Sequence, residues 1–128
     1  MARSRSQEIR REQKKSFYLS EVSGFIARLT QDEELFVSLC LTRAELSPDG
    51  HRCTIYGIAM GDPSTDLKVR AALFNTILGK LILYTPSLRA ALAKSVSSRY
   101  VPELRFAYDA QRAKQERIDS LLAQIERE

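Results

Sequence analysis

The sequence predicts an α+β fold, a two-layer domain with helices packed on one face of a three-stranded sheet. Three observations carry that prediction. Two strand-rich runs flank a single turn signal, and a third run alternates apolar and polar side chains near the C-terminus. Helical periodicity fills the stretches before, between and after these runs. The chain is 128 residues long and 44% hydrophobic, enough to bury one core without metal or disulfide support. One domain spanning 1–128 is expected, with residues 1–15 as a basic, projecting start of the first helix.

From about Ser6 to Leu29 the pattern is helical, with Tyr18, Val22, Phe25, Ile26 and Leu29 on one stripe. The first half of this helix has almost no apolar stripe and is dominated by arginine and lysine. An acidic connector, Thr30 to Glu34, leads into LFVSLCLTRAEL, and SPDG joins that run to RCTIYGIAM. Proline sets φ early in a turn and glycine accepts positive φ near its end, so the two runs form a β-hairpin. Both faces of the second strand are apolar, Cys53, Ile55 and Ala59 against Tyr56, Ile58 and Met60, so alternation does not say which face meets the core.

GDPSTD supplies a loop and a choice of helix caps. The next helix places Phe74, Ile77, Leu78 and Leu81 on one face. It is interrupted at Thr85-Pro86, because proline inside a helix removes a hydrogen bond and clashes with the preceding turn, costing roughly 3 kcal/mol. Thr85 is expected to cap a new helix that has Pro86 in its first turn and buries Leu88, Ala91, Leu92, Ser95 and Val96. In SSRYVPELRFAYD, Leu104, Phe106 and Tyr108 share one strand face. Pro102 cannot donate to a ladder, so it belongs at the start of a strand or on a sheet edge. Asp109 then caps a last helix with the apolar stripe Ile118, Leu121, Leu122 and Ile125. The order is α-β-β-α-α-β-α, and such elements build a two-layer domain.

Charge is segregated along the chain. Residues 1–15 carry six basic and two acidic groups, 16–66 three and eight, 67–105 seven and one, and 106–128 four and five, within a net charge of +4. Two basic segments separated by an acidic one favour an anionic polymer as partner, because a local positive field concentrates it. Membrane is set aside, since no apolar stretch approaches the roughly 20 residues that span a bilayer. The opening arginines lack an apolar h-region and are mixed with glutamates, which fits neither a secretory signal nor an import presequence, so a cytoplasmic location is expected. Cys40 and Cys53 lie in strand-like runs without zinc spacing and read as reduced core residues. His51, the single histidine, sits beside the turn and reads as solvated rather than catalytic. Without a nucleophile–base pair, a P-loop or a metal-ligand array, no enzyme and no cofactor are expected. Gly57 and Gly61 are spaced as G-x-x-x-G inside and just after a strand, which is not a phosphate clamp.

Val101-Pro102-Glu103-Leu104-Arg105-Phe106 followed by Tyr108-Asp109, together with Glu45-Leu46-Ser47-Pro48-Asp49 leading into Ile55-Tyr56, resembles the signatures of the ribosome-binding factor A family. Arg117-Ile118 and Leu121-Leu122 fit that family's closing helix. The chain departs from the family pattern at the connector, which reads Thr30-Gln31-Asp32-Glu33-Glu34 where an Asp-Pro pair is usual. It departs again at Tyr84-Thr85-Pro86, which stands where the family commonly has an Ala-x-Gly kink. The resemblance implies a type II KH-like fold without the GXXG clamp and no chemical step. It implies a bacterial assembly factor for the small (30S) ribosomal subunit, contacting 16S rRNA near the decoding region and the precursor 5′ end, and monomeric when free.

On that reading Lys80, Arg89, Lys94, Arg99 and Arg105 grip RNA around the helix bend and last strand. Arg3, Arg5, Arg10, Arg11, Lys14 and Lys15 form a second basic arm, arginine being suited to phosphate because its planar fork donates two hydrogen bonds at once. Tyr56 and Tyr100 are candidates for base stacking if they face solvent. The rival from another class is a protein-interaction module in which the basic groups only tune encounter.

Overall fold

The computed structural model describes residues 4–61, 65–95 and 101–127. Helix α1 (Arg5–Leu29) starts at a capping box, in which the Ser4 hydroxyl accepts from the Gln7 amide and the Gln7 side chain accepts from the Ser4 amide. Its buried residues are Tyr18, Val22 and Ile26, all in the second half, as the stripe predicts. The acidic connector then enters a 3₁₀ turn, Glu34–Ser38, which plants Phe36 in the core. Strands β1 (Leu39–Leu46) and β2 (Arg52–Ala59) pair antiparallel.

The hairpin turn is held as its residue types require. Gly50 takes φ +74°, its N–H donates to Ser47 O, and the Asp49 carboxylate accepts from the His51 amide. Further along, the register shifts between Leu41 and Arg43, so Thr42 is an extra residue in a β-bulge. Gly57 is what lets the strands close up here, since a Cβ on it would lie 2.9 Å from the Cys40 carbonyl.

Asp66 caps α2 (Leu67–Leu81) by accepting from the Lys68 amide. Strand β3 (Glu103–Tyr108) lies parallel to β2, so the sheet order is β1-β2-β3 with β2 in the centre. Glu103 and Asp109 donate their N–H groups to His51 O and Gly57 O of the central strand. By alternation the even-numbered residues of β3 point their backbone outward. Pro102 shares that outward parity, so its missing N–H costs no ladder bond, which explains a proline at the mouth of this edge strand.

The core settles the ambiguity of β2. Cys53, Ile55 and Ala59 are buried with Val22, Phe74, Ile77, Leu81, Leu88, Leu92 and Leu104, so the odd-numbered face is the covered one. Ile58 and Ala113 are buried outside that cluster.

Two local expectations need correction. Thr85 does not cap a new helix. It is itself helical (φ −56°, ψ −43°), and α2 passes through a 3₁₀ turn, Ile82–Tyr84, directly into α3 (Thr85–Ser95). The tighter i→i+3 bonding of that turn, with the Thr85 N–H donating to Ile82 O, accommodates a proline that has no N–H for a regular helical bond. Leu88 and Leu92 of α3 are buried, but Ser95 is exposed, and Val96 lies outside the described residues.

The second correction concerns α4 (Ala110–Arg127). The stripe Ile118, Leu121, Leu122 and Ile125 is 42–65% exposed, so the helix is not held by its apolar face. It is held at its start. Arg70, only 4% exposed on α2, donates to Ala113 O, Ala59 O and the Glu116 carboxylate at 3.0 Å, while Arg117 donates to Thr65 O.

Candidate nucleic-acid interface

The predicted cations fall into two sets. On α1, Arg11 donates to Leu46 O and Ser47 O at the end of β1 (3.1 and 3.2 Å), and Lys15 pairs with Glu12 (2.7 Å) and Glu45 (3.6 Å). The Glu12 contact, reinforced by the charge of Glu45, raises the Lys15 pKa against the opposing effect of burial. These two side chains tether α1 to the hairpin. Arg5, Arg10 and Lys14 are exposed and make no ion pair among the described residues. Arg3 lies outside the described residues.

The second set surrounds the α2–α3 joint and β3. Lys80 pairs with Glu33 of the connector at 3.3 Å, and Tyr84 donates its hydroxyl to the same carboxylate, so this cation already has an internal partner. Arg89 is exposed, reaching Val101 O with one guanidinium nitrogen (3.3 Å) and leaving the rest of the fork to solvent. Lys94, five residues further along α3, is exposed without an ion pair among the described residues. Arg105 leans on Glu103 at 3.4 Å, with both side chains half exposed. Arg99 lies outside the described residues.

A hollow of about 310 Å³ opens between the joint and the outer edge of β3. Leu78, Ile82 and Thr85 form one wall, and Leu104, Arg105 and Phe106 the other. The hollow therefore combines an apolar floor, outward backbone groups of β3 and the Arg105 guanidinium on its rim.

The opposite, uncovered sheet face behaves differently. Arg43 and Arg52 carry no functional signal in the sequence, where alternation with Ala44 and Cys53 marks them only as outward-facing. Register then pairs them off: Arg43 with Glu45 and Asp109 (3.3 and 3.5 Å), and Arg52 with Glu103 (3.7 Å). Tyr56 is half-buried there, with the Arg43 guanidinium 3.8 Å above its ring, so one aromatic face is already occupied. Tyr100 lies outside the described residues. No phosphate clamp is present at the joint, where the 3₁₀ turn reads Ile82-Leu83-Tyr84. Among the described residues no cluster of acidic, histidine or cysteine side chains is placed to hold a metal, and no helix is long and apolar enough to cross a membrane.

Residues 8–122 match the family model described as ribosome-binding factor A. The ribosome-binding factor A of Heliobacterium modesticaldum is 37% identical over 111 residues, covering 83% of this chain and 84% of that protein. That of Geobacter sulfurreducens is 31% identical over 108 residues, covering 84% and 83%. That of Zymomonas mobilis is 36% identical over 90 residues, with 70% of this chain aligned to 56% of the relative. Among solved structures, the crystal structure of ribosome-binding factor A from Thermus thermophilus superimposes with a TM-score of 0.58 at 24% identity, covering 77% of this chain and 94% of that one. That likeness establishes the KH-like α+β fold.

Proposed function

The chain belongs to the ribosome-binding factor A family, and from that membership we propose that it binds the small ribosomal subunit during maturation, gripping 16S rRNA by shape and phosphate. Proteins of this family are non-enzymatic assembly factors, and the chain carries out no chemical step. The contacts lie near the decoding region and the precursor 5′ end of the rRNA, and the protein acts in the cytoplasm as a monomer.

One observation supports the phosphate reading above others. The arginines of the open sheet face are paired with carboxylates, whereas Arg5, Arg10, Lys14 and Lys94, all on helices, have no ion pair among the described residues. A cation without an internal partner keeps its full Coulomb attraction for an external anion, and Arg89 retains most of its donors for the same use.

Co-sedimentation with small subunits at about 50 and 200 mM potassium tests this, because each neutralised phosphate releases counterions. Binding is expected to fall steeply with salt. In the Arg89→Glu/Lys94→Glu variant it is expected to fall at the lower salt as well, with the circular dichroism spectrum unchanged. A flat salt response and full binding by the folded variant overturn the rRNA reading in favour of docking on ribosomal protein.

A further inference from the structure

The acidic side of the molecule plays no part in that reading. Residues 16–66, with three basic and eight acidic groups, build most of α1, the connector and the hairpin. On this side β1 is an edge strand with α1 running alongside it. Two hollows follow one another down the seam. One, of about 290 Å³, is bounded by Ile26, Phe36, Leu39 and Leu41; the other, of about 230 Å³, is of mixed character, with Leu19 and Ala44 beside Glu12, Lys15, Arg43 and Glu45.

The ladder fixes which backbone groups face the seam. Ser47 donates its N–H to Arg52 O, so Glu45 and Arg43 turn toward β2 and Ala44 turns outward. Met60 donates to Ser38 O, so Cys40 turns toward β2, and Leu39 and Leu41 turn outward. The Leu39 N–H closes the 3₁₀ turn onto Phe36 O, and Leu46 O is taken by Arg11. Among the described residues, Leu39 C=O and both backbone groups of Leu41 stay open, apart from a weak thiol contact from Cys40 Sγ to Leu41 O at 3.8 Å, whereas Ala44, 6% exposed, is covered. The two edges of the sheet thus differ, since β3 begins with a proline and β1 offers the ladder groups of Leu39 and Leu41 over the apolar larger hollow.

An edge of this kind is completed by another extended chain. Charge selects which one. Asp32 and Glu34, exposed and without an ion pair among the described residues, stand between Thr30 and Phe36, which both line the larger hollow. They repel an RNA strand, and they oppose a second copy of β1, which would bring the same carboxylates against each other. We propose that the outer edge of β1 at Leu39 and Leu41, ahead of the bulge, accepts an extended protein segment as a short fourth strand, with branched apolar side chains entering the larger hollow and basic side chains flanking them to meet Asp32 and Glu34. This inference does not rest on the rRNA reading, and the variant below leaves the cations of α1 and α3 in place, so its subunit binding measures that reading separately.

The probe is a fluorescein-labelled heptapeptide with valine, threonine and valine between paired lysines, titrated with the full chain and followed by anisotropy. Saturable binding is expected, weakened about tenfold or more by Asp32→Lys/Glu34→Lys with the fold intact by circular dichroism. N-methylation of one alternate set of peptide amides abolishes binding and methylation of the other set does not, the mark of strand addition. Equal binding by a glutamate-flanked peptide, indifference to the methylation pattern, or no saturation up to about 1 mM overturns the proposal. So does displacement of the peptide by oligouridylate, or self-association through this edge in sedimentation of the free protein.

Discussion

Asp109 joins three elements through one short side chain. Its carboxylate accepts from the Arg112 amide at 3.0 Å as the cap of α4, accepts from the Thr42 hydroxyl of the bulge at 2.6 Å, and lies 3.5 Å from the Arg43 guanidinium. Burial alone pushes this carboxyl up; the Thr42 hydroxyl, the Arg112 amide and Arg43 together outweigh burial and hold it below the usual carboxylate range. A folded-state pKa below the unfolded one gives stability that is complete above the unfolded value of roughly 3.9 and disappears as pH falls through the folded value. Asp109→Asn is therefore expected to lose about 1–2 kcal/mol at neutral pH by urea unfolding. The gap to wild type should close on acidification through the folded-state value, and an equal gap at neutral and strongly acidic pH contradicts this account. The cap was legible in the sequence because it spans three residues. Thr42 was not, because a partner 67 positions away leaves no local mark.

At the scale of elements, α4 separates what a pattern says from what packing does. The spacing of Ile118, Leu121, Leu122 and Ile125 announces a helix with an apolar face, yet that face is exposed and the helix is secured by Arg70 instead. A guanidinium this buried has no signature in sequence, since its surroundings come from β2, α2 and α4 at once. Glu116→Ala leaves the Arg70 charge buried without its carboxylate and is expected to cost about 2 kcal/mol. Adding Arg70→Met recovers part of that loss, because the charge and its desolvation are removed together. Urea titration of the single and double variants checks this, and a double variant less stable than the single one refutes it.

For the whole molecule, the distribution of charge works against stability in one place. Arg5 and Arg10 stand in the first two turns of α1, where the helix dipole disfavours cations, with Glu8 the only acidic residue in the first turn. Residues kept there at a cost of a few tenths of a kcal/mol point to use outside the fold. The variant Arg5→Gln/Arg10→Gln/Lys14→Gln is expected to keep its melting temperature or raise it by about 2 °C while losing subunit binding. Calorimetry beside co-sedimentation separates these effects, and a lower melting temperature with unchanged binding reverses the assignment.

Element order, the hairpin turn, the cap at Asp109 and the edge position of the last strand were all determined by the amino-acid order, because each depends on a periodicity or a residue type acting within a few positions. The family signatures were legible for the same reason, being short and contiguous. Only the tertiary structure decided which face of β2 is covered, how helix passes into helix at Thr85, and which cations keep their charge for a partner. Those outcomes depend on groups far apart in the chain, Lys80 meeting Glu33 or Arg43 meeting Asp109, and Coulomb and packing energies follow distance in space, which linear order does not contain.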